Sequence, residues 1–175
     1  MNAGHRYYQK GYNLPSNIKF CRRCVNSNQR PRLKFDADGV CSACHFSDFK
    51  NNKIDWKSRE QELEDVCNKH RKSDGSYDCL VPSSGGKDSA FTAHMLKYKY
   101  EMNPLTITWS PHLYTDIGFQ NHQAHIHTGN LSNVLITPPG DVHRLLTKLS
   151  LENLGDPFLP FIYGQNNMPL QMAEL

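Results

Sequence analysis

From Tyr77 onward, short apolar runs alternate with segments of helical spacing. The runs are Cys79–Ser83, Leu105–Trp109 and Val134–Thr137, each short enough to be a strand rather than a helix. After the first run, Phe91, Met95 and Leu96 recur at i, i+4 and i+5 and predict a helix over Asp88–Tyr100. Asn103-Pro104 breaks the chain before the second strand. A second helix is predicted over Ile117–His127, with Gly129 just past its end as the C-terminal stop. A third follows Pro138-Pro139-Gly140. Asp141 is its expected N-cap, Val142, Leu145, Leu146, Leu149 and Leu154 its expected buried stripe, and Gly155 its stop. Strands alternating with helices predict an α/β fold, a doubly wound parallel sheet with right-handed crossovers, thin at three strands. Ligands sit beyond the carboxyl ends of such strands, so loops 84–89, 110–116 and 138–141 are expected to surround one site.

Upstream the pattern changes. Trp56, Leu63, Val66 and Cys67 form an apolar stripe on a helix predicted over 55–72, which Asp55 can cap and Ser73-Asp74-Gly75-Ser76 ends. Cys67 is read as packing. Residues 1–18 have no usable period and read as an N-terminal arm. Residues 155–167 mix proline, aromatics and amides without a period. A binding loop, with aromatics stacking on a ring and amides reading hydroxyls, and an irregular linker account for them equally well. Gln171–Leu175 looks like a helix just begun.

Composition narrows the class. The 175 residues give room for one domain and a small module. With 38% hydrophobic and 21% charged residues, the chain reads as a soluble, rather polar globular protein. A net charge of +3 suits an anionic substrate and is too small to argue for nucleic acid. No apolar run approaches a membrane span, and Met1–Lys10 lacks the apolar core of a signal peptide. The expected compartment is the cytoplasm.

The cysteines carry the first candidate site. Cys21 and Cys24 form one Cys-x-x-Cys pair, and sixteen residues later Cys41 and Cys44 form another. With no secretion signal, this spacing favours a metal over disulfides. Between the pairs, Arg32–Phe35 alternates like a strand and Asp36-Ala37-Asp38-Gly39 reads as a turn. The expectation is a zinc ribbon of two knuckles joined by a short hairpin. Four thiolates close the coordination sphere, which favours structural Zn²⁺ over a redox dithiol or a nucleic-acid-reading ribbon. So small a module draws most of its folding energy from the metal, on the order of 10 kcal/mol. His45, beside Cys44, is read as a surface residue.

The second candidate site is Ser84-Gly85-Gly86-Lys87-Asp88-Ser89, between the first strand and its helix. Strand, glycine turn, helix is how a chain aims unpaired backbone N–H groups at an anion. It is not a Walker A loop, because Val81 stands where that motif needs Gly and Asp88 where it needs Ser or Thr. A carboxylate beside phosphates implies a bridging cation, so Asp88 points to Mg²⁺.

Ser-Gly-Gly-x-Asp-Ser after a first strand resembles the signature of the PP-loop ATP pyrophosphatases. The resemblance implies a HUP-like, adenine nucleotide alpha-hydrolase sheet that binds ATP and cleaves it between the α and β phosphates. Ser84, Gly85, Gly86 and Ser89 would cradle the pyrophosphate end, Lys87 would neutralise phosphate charge, and Asp88 would help hold Mg²⁺. Lys87 and Asp88 are thereby the candidate catalytic residues. Further strings are similar to one branch, the N-acetyl sugar amidotransferases of surface-polysaccharide and O-antigen synthesis. They include both Cys-x-x-Cys pairs, Ile54-Asp55-Trp56, Tyr77-Asp78-Cys79, Ser110-Pro111, Thr115-Asp116-Ile117-Gly118, Asn121 and Gly155–Gln165. That branch implies conversion of an acetamido group on a nucleotide-linked or related sugar into an acetamidino group. ATP adenylates the amide oxygen, ammonia attacks, and AMP leaves. Asp116, Asn121 and Gln165 are the candidate substrate contacts. No glutaminase nucleophile is present, so the resemblance implies a separate glutaminase and a cyclase-like protein that supply ammonia.

The expected organisation is an arm over 1–18, a four-cysteine zinc module over 19–50, a connecting helix over 51–76 and a PP-loop nucleotide-binding domain over 77–175. Family members continue past the point where this chain stops, so that last domain is expected to be incomplete. Two other readings compete. One is a PP-loop enzyme that thiolates a tRNA base, disfavoured because Cys79 is the sole cysteine in the nucleotide domain and lies inside a strand. The other is a shortened, non-catalytic protein that binds nucleotide or a partner. His122, His125 and His127 suggest a metal, but their spacing does not put all three on one helical face. They are read as surface histidines.

Overall fold

The computed structural model of the protein describes residues 15–174. Of the expected N-terminal arm, residues 1–14 lie outside the described residues. The chain divides into two compact units, Met1–Arg59 and Glu60–Leu175.

In the first unit the hairpin is almost all turn. The Asp36 amide donates to Val40 O at 3.0 Å, the Val40 amide returns to Asp36 Oδ1 at 2.8 Å, and Gly39 takes the left-handed conformation at φ +78°. The strand expected over Arg32–Phe35 shrinks to one antiparallel bridge, Phe35 to Cys41, since so tight a turn leaves little length to pair. The second cysteine pair sits at the start of a helix, α1 (Ser42–Asn52), whose N-cap position is Cys41. Periodicity did not announce it. Helix α2 (Trp56–His70) follows and runs on into the second unit. Asp55 caps it as expected, its Oδ1 accepting from the amides of Lys57 and Ser58 at 3.0 and 3.1 Å. Its stripe is mostly uncovered: Trp56, Leu63 and Val66 are exposed and Cys67 is buried.

The second unit holds a three-stranded parallel sheet in the order β1-β2-β3, made of Cys79–Pro82, Pro104–Trp109 and Ser132–Ile136. Leu80 pairs with Leu105, and Leu105 with Ser132. Helix α3 (Lys87–His94) continues as a π-helical turn, Met95–Lys99, where the Tyr100 amide reaches back five residues to Met95 O. Helices α4 (Asp116–His127), α5 (Gly140–Leu154) and α6 (Leu159–Met172) complete the unit. The shared core is small: Val81, Ala93 and Leu131, with Leu96 against them. Successive β2 side chains alternate faces. Thr108 meets His122 of α4, while Trp109 abuts Gly164 of α6. The central strand can bury threonines because their hydroxyls are satisfied. Thr106 Oγ1 donates to Ser132 O at 2.7 Å, and Asn133 Nδ2 donates to both Thr106 Oγ1 and Thr108 Oγ1 at 2.9 Å.

Several expectations need correcting. Gly129 is not the left-handed stop of α4; Asn130 takes that conformation at φ +50°. Gly129 is there for space, since a Cβ would lie 2.1 Å from His125 O. Asp141 is in the first turn of α5, not its N-cap, which is Pro139. The leucine stripe of α5 is not buried: Val142, Leu145, Leu146, Leu149 and Leu154 are all exposed. The covered face instead carries His143 and Ser150, with Thr147 half-buried between them. Spacing of i, i+4 and i+7 aligns these three. Residues 155–167 are neither loop nor linker, because most of them build α6. Pro160 sits in its first turn, where no intrahelical bond is lost. Pro169 lies inside, which hid the helix from a periodicity reading. Gly155 does end α5, at φ +71°. Among the described residues, no helix is long and apolar enough to cross a membrane.

Candidate functional site

The loop between β1 and α3 is held from both ends. Ser83 extends the ladder by donating its amide to Ile107 O at 2.8 Å, and its Oγ meets His125 Nε2 at 2.7 Å. Gly85 then turns at φ +79°, so close to α4 that a Cβ would stand 2.7 Å from His122 Cα. Only glycine satisfies both conditions. Two serines close the loop on itself. Ser84 Oγ accepts from the Gly86 amide at 3.3 Å; Ser89 Oγ accepts from the Ser84 amide at 3.3 Å and donates to Gly86 O at 3.0 Å. Gly86 is the N-cap position of α3, so the amides of Lys87, Asp88 and Ser89 are its first turn and have no intrahelical acceptor. Lys87 Nζ and Asp88 Oδ1 pair at 2.6 Å, but their side chains are 89% and 90% exposed. Such a pair contributes little to stability and opens readily to a ligand.

Beside this loop is a polar cavity of about 220 Å³, lined by Ser83, Ser84, Ser89, Trp109, Gln165 and Asn166 among others. The fold therefore brings Gln165, from α6, to the serines of the loop. It does not bring Asp116 and Asn121 there. Both are exposed on α4 and neither lines the cavity. Asp116 lies just after the N-cap Thr115, whose Oγ1 accepts from the Gly118 amide at 3.0 Å.

Two residues expected on the surface lie under the loop instead. His122 and His125 are 3% and 8% exposed, and Nε2 of His122 is 3.2 Å from Thr108 Oγ1. Burial holds both below the ordinary histidine range, and His125 is lowered further by His122. Three residues apart, they share the inner face of α4. His127 is exposed, as expected, 3.2 Å from Gln123 Oε1. The i, i+3 spacing was visible in the sequence; that this face packs on the sheet was not.

In the first unit the sulfur atoms of Cys21, Cys24, Cys41 and Cys44 all lie within 4.8 Å of one another. Cys21 and Cys44 are 3.8 Å apart, Cys24 and Cys41 3.6 Å. A tetrahedron with Zn–S bonds of about 2.3 Å has S···S edges of about 3.8 Å. The four thiols can thus hold one metal ion such as zinc. The thiols are electrostatically unequal. Burial opposes ionisation of Cys21, but the amides of Arg23, Cys41 and Cys24 outweigh it and bring it down to about 6. The Asn26 amide lowers Cys24. Burial pushes Cys44 up to about 12, and its three sulfur neighbours add to this. A cation in the cluster would reverse that last effect. His45 is outside the cluster, exposed, with Nε2 2.6 Å from Asp36 Oδ2.

The molecule is thus an α/β protein with a small parallel three-stranded sheet, joined to a four-cysteine module suited to a metal. No protein-family model matches the chain. Over 89 residues it is 27% identical to an uncharacterized protein of Methanocaldococcus jannaschii, a match that covers 50% of this chain. The matched part spans 31% of that relative's length.

Proposed function

We propose that this chain carries the ATP site of a PP-loop amidotransferase that acts on an N-acetylated, nucleotide-linked or related sugar in surface-glycan synthesis. The observation that carries the reading is the loop Ser84–Ser89. It combines a left-handed Gly85, two inward serine hydroxyls and the open first turn of α3. Those are the features of an anion cradle. In this reading the pyrophosphate end of ATP rests on Ser84, Ser89 and the α3 amides, with Lys87 neutralising charge. A cavity of about 220 Å³ is below the usual size for a whole ligand, so the rest of the nucleotide extends along the open rim. Asp88, with its carboxylate in solvent, would hold Mg²⁺, and Mg²⁺ when bound supplies charge neutralisation on the phosphates. Gln165 is assigned to the acceptor side. Asp116 and Asn121 are given no contact in this reading, since neither lines the cavity.

The chemistry follows from the weakness of an amide oxygen as a leaving group. The acetamido oxygen attacks the α-phosphorus, the α–β bond breaks, and pyrophosphate departs. Ammonia, from a separate glutaminase and a cyclase-like partner, then adds to the imidate carbon. AMP leaves with the oxygen, and a proton is lost to give the acetamidino group. The protein's part is to align reactants and stabilise phosphate charge. Zn²⁺ on Cys21, Cys24, Cys41 and Cys44 is structural, since four thiolates leave no open position.

The test is pyrophosphate release from ATP, Mg²⁺ and ammonium with a panel of diacetamido nucleotide-sugars, with Asp88→Ala as control. Sugar-dependent release that disappears in the variant is the expected result. ATP binding without release on any sugar would refute the amidotransferase assignment. Absence of ATP binding would overturn the PP-loop reading itself.

A further inference from the structure

A second and larger cavity, about 760 Å³, opens at the carboxyl ends of β2 and β3. Its walls are the β2–α4 connection at Ser110–Leu113, the β3–α5 connection at Thr137–Gly140 and the side of α5 that carries His143, Arg144, Thr147 and Lys148. It shares no lining residue with the cavity at Ser84 and Ser89. Its volume falls in the range that encloses a small organic ligand.

Three features of its walls bear on what enters. The first is His143, which is 5% exposed and lines the cavity. Neither Nδ1 nor Nε2 has a hydrogen-bond partner among the described residues. A buried imidazole with both nitrogens unsatisfied is rare in a finished fold, because the lost hydration is not returned. The second is an aromatic wall. His112 lies edge-on to His143 with ring centroids 4.0 Å apart and stands 5.7 Å from Phe161. His112 is exposed, so it can swing and uncover His143. The third is charge. Arg144 and Lys148, one turn apart on α5, both line the cavity. Arg144 has no acidic partner among the described residues, and Lys148 has only an exposed Glu152 at 3.8 Å. Asp141 is the nearest acid in sequence, but it is exposed and does not line the cavity. The N-cap of this fifteen-residue helix makes no side-chain capping bond, so its first amides add to the same positive field.

A mostly apolar chamber with a ring-stacking wall, an imidazole lacking partners and two cations in its lining matches a molecule with a planar ring and a phosphate group. We infer that this cavity is a second nucleotide site, which takes a nucleoside diphosphate or its sugar ester. Arg144, Lys148 and the α5 amides hold the phosphates, the base lies against His112, and His143 gains a polar partner. The site deepens the proposed function and its role as acceptor site rests on that reading, because the acceptor there is a nucleotide-linked sugar.

Uridine diphosphate is the probe, titrated calorimetrically into the full chain with and without a saturating non-hydrolysable ATP analogue. Binding of one equivalent, unchanged by the analogue, is expected. The double variant Arg144→Ala/Lys148→Ala should weaken it by about 10- to 100-fold, the worth of one lost charge-assisted hydrogen bond or more, and leave the analogue's affinity alone. Both side chains are exposed on α5, so folding is retained, which a thermal melt verifies. The imidazole nitrogen resonances of His143 should shift with uridine diphosphate and not with the ATP analogue. Competition between the two ligands would overturn the inference, since it would mean one shared site. Failure of uridine diphosphate to bind while the analogue binds would overturn it and leave the ATP reading standing. Binding of uridine diphosphate alone would sustain the second site and remove the ATP reading.

Discussion

Replacing Gly85 with alanine should destabilise the sheet unit far more than the same change at Gly86, one residue on. At Gly85 two costs add. The backbone is left-handed at φ +79°, which charges an L-residue about 1–2 kcal/mol. The new methyl would also stand 2.7 Å from His122 Cα and 3.0 Å from its amide nitrogen. Those are backbone atoms of α4, which no rotamer change can move aside, and overpacking of this kind costs about 1–3 kcal/mol. The sum is about 2–5 kcal/mol, or roughly 8 °C or more of melting temperature for a unit near this size. At Gly86 the backbone is at φ −75° and ψ 164°, open to any residue, and the nearest atom to a Cβ is Ser84 Oγ at 3.3 Å. Loss of a good N-cap residue is offset there by reduced unfolded-state entropy, so the net change stays within about 1 kcal/mol. Urea unfolding followed by circular dichroism reads the difference directly. Equal costs at the two glycines, or less than about 1 kcal/mol at Gly85, would refute the loop geometry. ATP binding measured on the same variants separates the roles. If both glycines face phosphate, Gly86→Ala should weaken ATP while leaving stability nearly intact.

Other outcomes follow from the same structure. Purified protein should contain one zinc per chain by atomic emission, and Cys41→Ser or a strong chelator should abolish the cooperative melt of the first unit only; a metal-free, folded module would refute this. Burial lowers the proton affinity of His122, His125 and His143 in the fold, whereas the unfolded chain binds their protons near 6.5. Stability should therefore be full above that value and fall as pH drops below it, by up to about 1.4 kcal/mol per pH unit for each histidine. A flat profile from pH 7 to 5 would contradict the buried positions. Gly164→Ala would put a methyl 2.1 Å from Trp109 Cε2 and should loosen α6 at a cost of about 1–3 kcal/mol, with red-shifted tryptophan emission and earlier proteolysis near α6. Unchanged emission would mean that α6 does not rest on Trp109.

What the sequence determined by itself was local. Strand-forming runs, the Ser84–Ser89 turn, the Asp55 cap and the Cys-x-x-Cys pairs could be read from it. Their physics is confined to neighbouring residues: dihedral limits, hydrogen bonds to the next turn, two thiolates reaching one ion. The docking of helices on the sheet was not legible there. The leucines of α5 looked like its buried face, yet His143 and Ser150 are covered, because α5 turns its polar side to Trp109, His112, the chain at Asp156 and α6. His122 and His125 looked like surface residues until α4 was laid against Thr108 and Ser83. Prolines concealed α6, and with it the approach of Gln165 to the loop. These points depend on three dimensions, because burial and long-range hydrogen bonds follow from which surfaces come together, and a single stretch of chain carries both faces of every helix.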